Sequence, residues 1–315
     1  MKTPVFEDII KAHQLISPYI HHTPVLTSQS INRIVGAELF FKCENLQKTG
    51  AFKFRGACNA IFTLTKEEAN KGVGTHSSGN HAAALAYAAG LRGIKAFIVM
   101  PSSAPEIKRK AVKGYGGNIT FCEPTLQARE STLQRLVEEK DLTVVHPYNN
   151  SKVIAGQGTS ALELMNEIQG LDLVMCPVGG GGLLSGTALS VKALNPGCKV
   201  IAAEPAGADD AFRSFYAGHI IPSENPNTIA DGLLTSLGEL NFAIIKENVD
   251  SIVTVSEQSI IDAMRLIWER MKIITEPSSA VPLAALLENK VDTKIHRRIG
   301  IILSGGNVEL TKLPF

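Results

Sequence analysis

The sequence predicts an α/β protein built on mostly parallel sheet, and three observations carry that reading. Apolar runs of strand length alternate with helical patterns along the chain, which is the mark of repeated βαβ units. One such run, 171–178, leads directly into Gly179-Gly180-Gly181-Gly182 and then into a helical pattern at 183–189. The chain has 315 residues, enough to bury a large core and to divide into two domains.

Taken in order, residues Phe6, Ile9, Ile10, His13 and Ile16 fall at helical spacing and predict an amphipathic first helix. Lys53 follows, set between Phe52 and Phe54 just ahead of a helical pattern through Ala60-Ile61. A lysine between aromatic rings can be partly desolvated, which favours the neutral amine. The same residues also fit a surface lysine at a helix start. Ser77-Ser78-Gly79-Asn80-His81 comes after a short strand ending near Thr75 and before the alanine-rich run 82–89. It reads as a serine-capped helix start, whose amides and side-chain donors can grip a carboxylate. Further strands are predicted at 96–100, 119–122, 200–203 and 299–303. The acidic loop Glu204–Asp210 follows the third of these, and Ser304-Gly305-Gly306-Asn307 follows the last.

The glycine tetrad reads as a phosphate cradle. Bare glycines admit close approach and positive φ, and the helix start adds unpaired N–H groups and its dipole. Leu183-Leu184 follow where a P-loop needs Gly-Lys-Ser/Thr. The G-x-G-x-x-G spacing also fails, since positions 184 and 185 are Leu and Ser. That disfavours a nicotinamide-dependent oxidoreductase. A neutral lysine amine forms a Schiff base with an aldehyde, so cradle and lysine together suggest pyridoxal 5′-phosphate.

Composition excludes other classes. Lys plus Arg number 31 against 30 Asp plus Glu, so no basic surface for nucleic acid or anionic lipid is expected. No stretch is apolar enough to span a membrane, and the first residues lack a signal core. Cys43, Cys58, Cys122, Cys176 and Cys198 are scattered and odd in number, and they read as reduced, buried thiols of a cytoplasmic protein.

On these motifs, with His22-Thr23-Pro24 and Ala155-Gly156-Gln157-Gly158-Thr159, the chain resembles the fold-type II pyridoxal-phosphate enzymes of the serine racemase and serine/threonine dehydratase family. The resemblance implies a tryptophan synthase β-like fold: two open, mostly parallel α/β domains with the cofactor in the cleft. Residues 1–71 and 150–315 would form the large domain and 72–149 a small mobile one. A homodimer is the family expectation.

The resemblance also implies roles. Lys53 would bind the cofactor and act as base on one face of the substrate Cα, with Phe52 beside it and Ser78 on the opposite face. Asn80 would meet the cofactor's phenolic oxygen and Ser304 its ring nitrogen, while Gly179, Gly180, Gly181 and Gly182 would hold the phosphate. Ser77, Ser78, Asn80 and His81 would take the substrate carboxylate, and Arg129 a second one. Glu204, Asp210 and the Ala208 carbonyl would bind Mg²⁺, Ca²⁺ or Mn²⁺; without the resemblance they read as a solvated acidic loop. Lys48, Thr49, Tyr115, Lys272 and Asn307 match parts of an ATP site between subunits.

Three departures accompany it. Tyr148 stands where mammalian-type racemases have asparagine, and Ala82-Ala83 where they have Gly-Gln. Phe315 closes the sequence soon after Asn307, so no C-terminal regulatory domain is expected. The implied activity is interconversion of L- and D-serine with β-elimination to pyruvate and ammonia. The alternatives are dehydration of L-threo-3-hydroxyaspartate or L-threonine with little racemisation, and a non-catalytic vitamer-binding protein.

Overall fold

The computed structural model describes residues 2–77 and 79–315. Ten strands are formed among the described residues: β1 (Val25–Leu26), β2 (Glu38–Cys43), β3 (Val73–His76), β4 (Ala96–Pro101), β5 (Asn118–Cys122), β6 (Thr143–Val144), β7 (Leu173–Pro177), β8 (Lys199–Pro205), β9 (Ser251–Val255) and β10 (Arg298–Leu303). They make two sheets, one of order β1-β2-β10-β7-β8-β9 and one of order β5-β4-β3-β6. Every pairing between these strands is parallel except that of β1 with β2.

The continuous apolar strands follow from helices on both faces of the sheet. Along β7, Leu173 and Met175 enter one core while Val174 and Cys176 enter the other. Along β10, Ile299, Ile301 and Leu303 face the first core and Ile302 the second. A strand buried on both faces shows no polar alternation, so these runs read as strands by length and flanking glycine. The helix Phe6–Ile16 forms as its spacing predicts and buries Ile9, Ala12 and Ile16. Cys43, Cys58, Cys176 and Cys198 are free and buried; Cys122 is free but only half-buried, because β5 is the edge of its sheet. No helix among the described residues is long and apolar enough to cross a membrane.

Beneath the first sheet lies a buried set of charges that sequence reasoning did not anticipate. Arg55 reaches Glu44 at 2.7 and 2.9 Å and Glu163 at 2.7 and 2.8 Å. Lys42 Nζ meets Glu163 at 2.6 Å and donates to the Thr23 carbonyl at 2.6 Å. These contacts tie β2 to the helices Lys53–Phe62 and Ser151–Glu167.

Candidate active site

In parallel sheets the carboxyl ends of strands face one crevice, where ligands bind. Here β7 ends at the glycine tetrad, β10 at Ser304 and β3 at the 77–81 segment.

Lys53 opens the helix Lys53–Phe62. The strap before it is fastened to the end of β10: Phe52 N donates to the Ser304 carbonyl at 2.9 Å and Gly306 N to the Gly50 carbonyl at 2.9 Å. Those two bonds bring Lys53 and Ser304, which are 251 positions apart by their numbers, into one site. Lys53 Nζ donates to the Pro147 carbonyl at 3.0 Å and lies 5.1 Å from the centre of the Phe52 ring. Burial lowers this amine to about 8, against the opposing pull of the Glu276 carboxylate. At pH 7 about a tenth of it is therefore neutral, far more than for a free lysine.

The tetrad forms the turn between β7 and the helix Gly182–Leu194. Gly181 has φ +90°, a conformation that L side chains rarely adopt. A Cβ on Gly180 would stand 2.5 Å from Tyr148 Cδ1, so the loop must be bare where it passes that ring. Among the described residues the N–H groups of Gly179, Gly180 and Gly181 donate to no protein acceptor, so they are open to an anion.

Ser304 is buried, with its hydroxyl 3.1 Å from that of Ser279. Ser279 Oγ donates to the Gly305 carbonyl at 2.6 Å and accepts from Gly305 N at 2.6 Å. The helix start after β3 departs from the serine-cap expectation. Gly79 is the N-cap of the helix Asn80–Leu91, and Ser77 Oγ accepts from Gly79 N at 3.3 Å without capping the helix. Ser78 lies outside the described residues.

Glu276 is a residue the sequence reading missed. It is buried and accepts from Asn80 Nδ2 at 2.9 and 3.1 Å. Asn80 Oδ1 in turn accepts from Asn307 Nδ2 at 3.0 Å, and the same Nδ2 donates to the Thr49 carbonyl at 2.8 Å. Burial, with Asp231 adding to it, raises the Glu276 carboxyl to about 7. Its one sequence signal is position: it precedes Pro277, the first residue of a helix.

Three imidazoles line the same crevice. His81 is buried, its Nε2 3.4 Å from the Val145 carbonyl, and burial holds it well below the usual histidine range. His146 Nδ1 accepts from Asn149 N at 2.9 Å and Tyr148 N at 3.3 Å; burial, then His76 and Lys53, lower it to about 4. His76 is lowered by burial and next by the Arg129 guanidinium.

Away from the crevice, Glu204 and Asp210 are both fully buried. Glu204 accepts from Ala211 N at 3.0 Å and Phe212 N at 2.8 Å, so it covers the start of the helix Asp210–Ala217. Neither oxygen of Asp210 has a partner among the described residues. Burial and then Asp210 raise Glu204 to about 9, and burial raises Asp210 to about 6. Two crowded carboxyls, the oxygens of Asp210 unpartnered among the described residues, suit a hard cation, with the carbonyl of the buried Ala208 nearby in the chain. No cluster of three or more His, Cys, Asp or Glu side chains is gathered for a metal among the described residues, so this site would rest on two carboxylates and a carbonyl.

Thr49, Tyr115 and Asn307 share a cavity of about 210 Å³ with Asn80, Lys108 and Ala83. Lys48 and Lys272 do not line it. That volume is below the range of pockets that enclose a nucleotide-sized ligand.

The fold and crevice define a cofactor-dependent α/β enzyme, and comparison supplies the class. The profile of the pyridoxal-phosphate dependent enzymes matches residues 16–305, and the chain belongs to that family. It is 56% identical to the serine racemase of Dictyostelium discoideum over 99% of this chain and 98% of that one. It is 52% identical to the beta-hydroxyaspartate dehydratase of Paracoccus denitrificans over the full length of both. The solved structure of maize serine racemase, 47% identical, superposes with a TM-score of 0.97 over 98% of this chain and 95% of that one.

Proposed function

We propose that this enzyme interconverts L- and D-serine and eliminates the β-hydroxyl of serine to give pyruvate and ammonia. The observation that carries the reading is the enclosed Lys53 amine, lowered to about 8 and tied by the Phe52–Ser304 bond to the end of β10. Pyridoxal phosphate, when bound, draws electron density from Cα and so makes its proton removable. The residues fit it: Gly179 to Gly182 for the phosphate, Ser304 for the ring nitrogen, Lys53 for the aldehyde carbon, and Asn80 and Phe52 beside the ring. A serine hydroxyl does not hold that nitrogen protonated as a carboxylate would, which favours proton removal, elimination and racemisation over transamination.

Lys53 then takes the Cα proton on its own face. Delivery on the other face needs a second group, and Ser78 fills that role by resemblance. Ser77, Asn80 and His81 bind the substrate carboxylate, and segment 72–149 closes on residues 1–71 and 150–315. Glu204, Asp210 and the Ala208 carbonyl hold Mg²⁺ or a similar cation. The enzyme is cytoplasmic and homodimeric in this reading. The small Thr49–Tyr115–Asn307 cavity does not by itself fit ATP, so nucleotide activation would need a second subunit's surface.

A second reading, dehydration of L-threo-3-hydroxyaspartate or L-threonine with little racemisation, is supported by the equally complete alignment with the Paracoccus enzyme. Purified enzyme given L-serine, D-serine, L-threonine and L-threo-3-hydroxyaspartate separately, with chirality and keto acid followed, decides between them. Lys53→Ala should abolish every activity. Ser78→Ala should lose interconversion of the serine enantiomers and keep elimination from L-serine. Wild-type enzyme that eliminates from hydroxyaspartate but never racemises serine would replace the first reading with the second.

A further inference from the structure

The helix Glu239–Asn248 begins against two pieces of the crevice at once. Toward the glycine turn, Gly238 N donates to the Gly180 carbonyl at 3.3 Å. Toward the turn 146–149, Leu240 N donates to Asn149 Oδ1 at 3.1 Å. Within that second turn His146 Nδ1 gathers the Tyr148 and Asn149 amides, and the Pro147 carbonyl accepts from Lys53 Nζ at 3.0 Å. One helix start therefore touches both the loop read as the phosphate cradle and the turn that holds the reactive amine.

Asn241, in the first turn of that helix, joins the two directly. It is fully buried. One end of its side-chain amide lies 3.2 Å from Gly182 N and 3.3 Å from Ser185 Oγ, and the other lies 3.3 Å from the Tyr148 carbonyl. A backbone N–H only donates and a carbonyl only accepts, so these neighbours fix the amide: Oδ1 accepts from Gly182 N and Nδ2 donates to the Tyr148 carbonyl. The packing around it is close. A Cβ on Gly181 would stand 2.9 Å from Asn241 Cβ, and one on Gly182 would stand 3.0 Å from Tyr148 Cβ. An aspartate of the same shape lacks the donor when ionised, and a leucine lacks both donor and acceptor.

We propose that Asn241 is a positioning residue that sets the spacing between the glycine loop and the Lys53 amine. A ligand with a phosphate at one end and an aldehyde at the other reaches both only while loop and turn keep their separation. Each end, once bound, raises the local concentration of the other, and a small misplacement forfeits that gain. Asn241 acts through Gly182 on one side and through the turn of Tyr148 and Pro147 on the other. The proposal rests on the reading of the tetrad as phosphate cradle and of Lys53 as the aldehyde's partner, and it is independent of which amino acid is the substrate.

The test takes full-length wild type and Asn241→Leu, both freed of cofactor, and titrates each with pyridoxal 5′-phosphate, pyridoxal and inorganic phosphate. Visible absorbance reads the two aldehydes and calorimetry reads phosphate. In Asn241→Leu the dissociation constant for pyridoxal phosphate should rise about 10- to 100-fold, while those for pyridoxal and for phosphate, each needing only one end of the site, change less than about threefold. Equal losses with all three probes, as a damaged fold would give, overturn the proposal. An unchanged preference for pyridoxal phosphate over pyridoxal overturns it as well, and leaves the cradle reading standing. Where Asn241→Leu fails to fold, Asn241→Ser, which is smaller and cannot span both partners, should show the same selective loss. Wild type that binds pyridoxal as tightly as pyridoxal phosphate refutes the cradle reading itself, and the proposal with it.

Discussion

Two sets of buried charge in this protein answer the same problem in opposite ways. Under the first sheet, Lys42 and Arg55 face Glu44 and Glu163, two cations for two anions, with every charge in hydrogen-bonding contact. Burial alone would raise the Glu163 carboxyl, but Arg55 and Lys42 hold it below its usual value. At the end of β8, Glu204 and Asp210 are buried with no salt bridge among the described residues, and both are raised, to about 9 and about 6. Desolvation is common to both sets. The first is complete within the chain, so it fixes structure. The second is completed only by a proton or by an ion from solution, which is what makes it a candidate binding site.

The largest expected effect lies in the complete set. Arg55→Leu leaves Glu44 and Glu163 buried with one cation between them, and breaking such a set costs about 3–5 kcal/mol. Urea unfolding should show that loss, with Arg55→Lys intermediate because an ammonium cannot fork to both carboxylates. A loss below about 1 kcal/mol for Arg55→Leu would mean that water reaches the cluster and that its balance is not what holds it.

The incomplete set should respond to pH and metal together. A carboxyl raised in the folded state binds more protons folded than unfolded, so its contribution is present at low pH and is lost as pH rises. Metal-free protein should therefore lose stability from the ordinary carboxylate range up to about 9, the value for Glu204. Mg²⁺ should flatten that slope and stabilise the fold by about 2.7 kcal/mol at a hundredfold excess over its dissociation constant, raising the melting temperature. Asp210→Asn sharpens the contrast by reversing sign: stabilising at pH 8 without metal, destabilising relative to wild type with it. Melting curves with and without chelator read both. Identical curves in all four conditions would remove the cation from this site.

The same contrast explains what the sequence made legible. The glycine tetrad was legible from adjacent residues, because a strand–glycine–helix turn is a local structure; the aromatic neighbours of Lys53 pointed only to desolvation, and the role expected of Ser304 came from the family resemblance. The strands were legible from apolar runs bounded by glycine and turn residues. Arg55 was not, although it stands two positions from Lys53. Its partners lie 11 and 108 residues away, and no local pattern distinguishes a buried arginine from a solvated one. Glu276 was hidden for the same reason, since Asn80 reaches it across 196 residues and Asn307 joins from 227 further on from Asn80. The serine-cap expectation gave way to Gly79 at the N-cap, a backbone choice that residue type does not reveal.

Glu276 stands between the two extremes, and it gives the smallest and most local test. It is a buried anion with no salt bridge among the described residues, satisfied by the Asn80 amide and felt by Lys53 across the crevice. The carboxylate raises the Lys53 amine, which burial alone would carry lower than about 8. Glu276→Gln keeps an acceptor for Asn80 and removes the charge. The amine should then titrate below 8 and be neutral over a wider pH range. Capture of pyridoxal phosphate by the metal-free apoenzyme requires the neutral amine, so its rate should rise with pH to a plateau. In wild type the midpoint should fall near 8; in Glu276→Gln it should move to lower pH, with the plateau rate little changed. Stopped-flow absorbance at the cofactor's visible band measures both. A midpoint that stays in place would show that Asn80 already screens the carboxylate from Lys53, and that Glu276, like Arg55, serves the fold and not the amine.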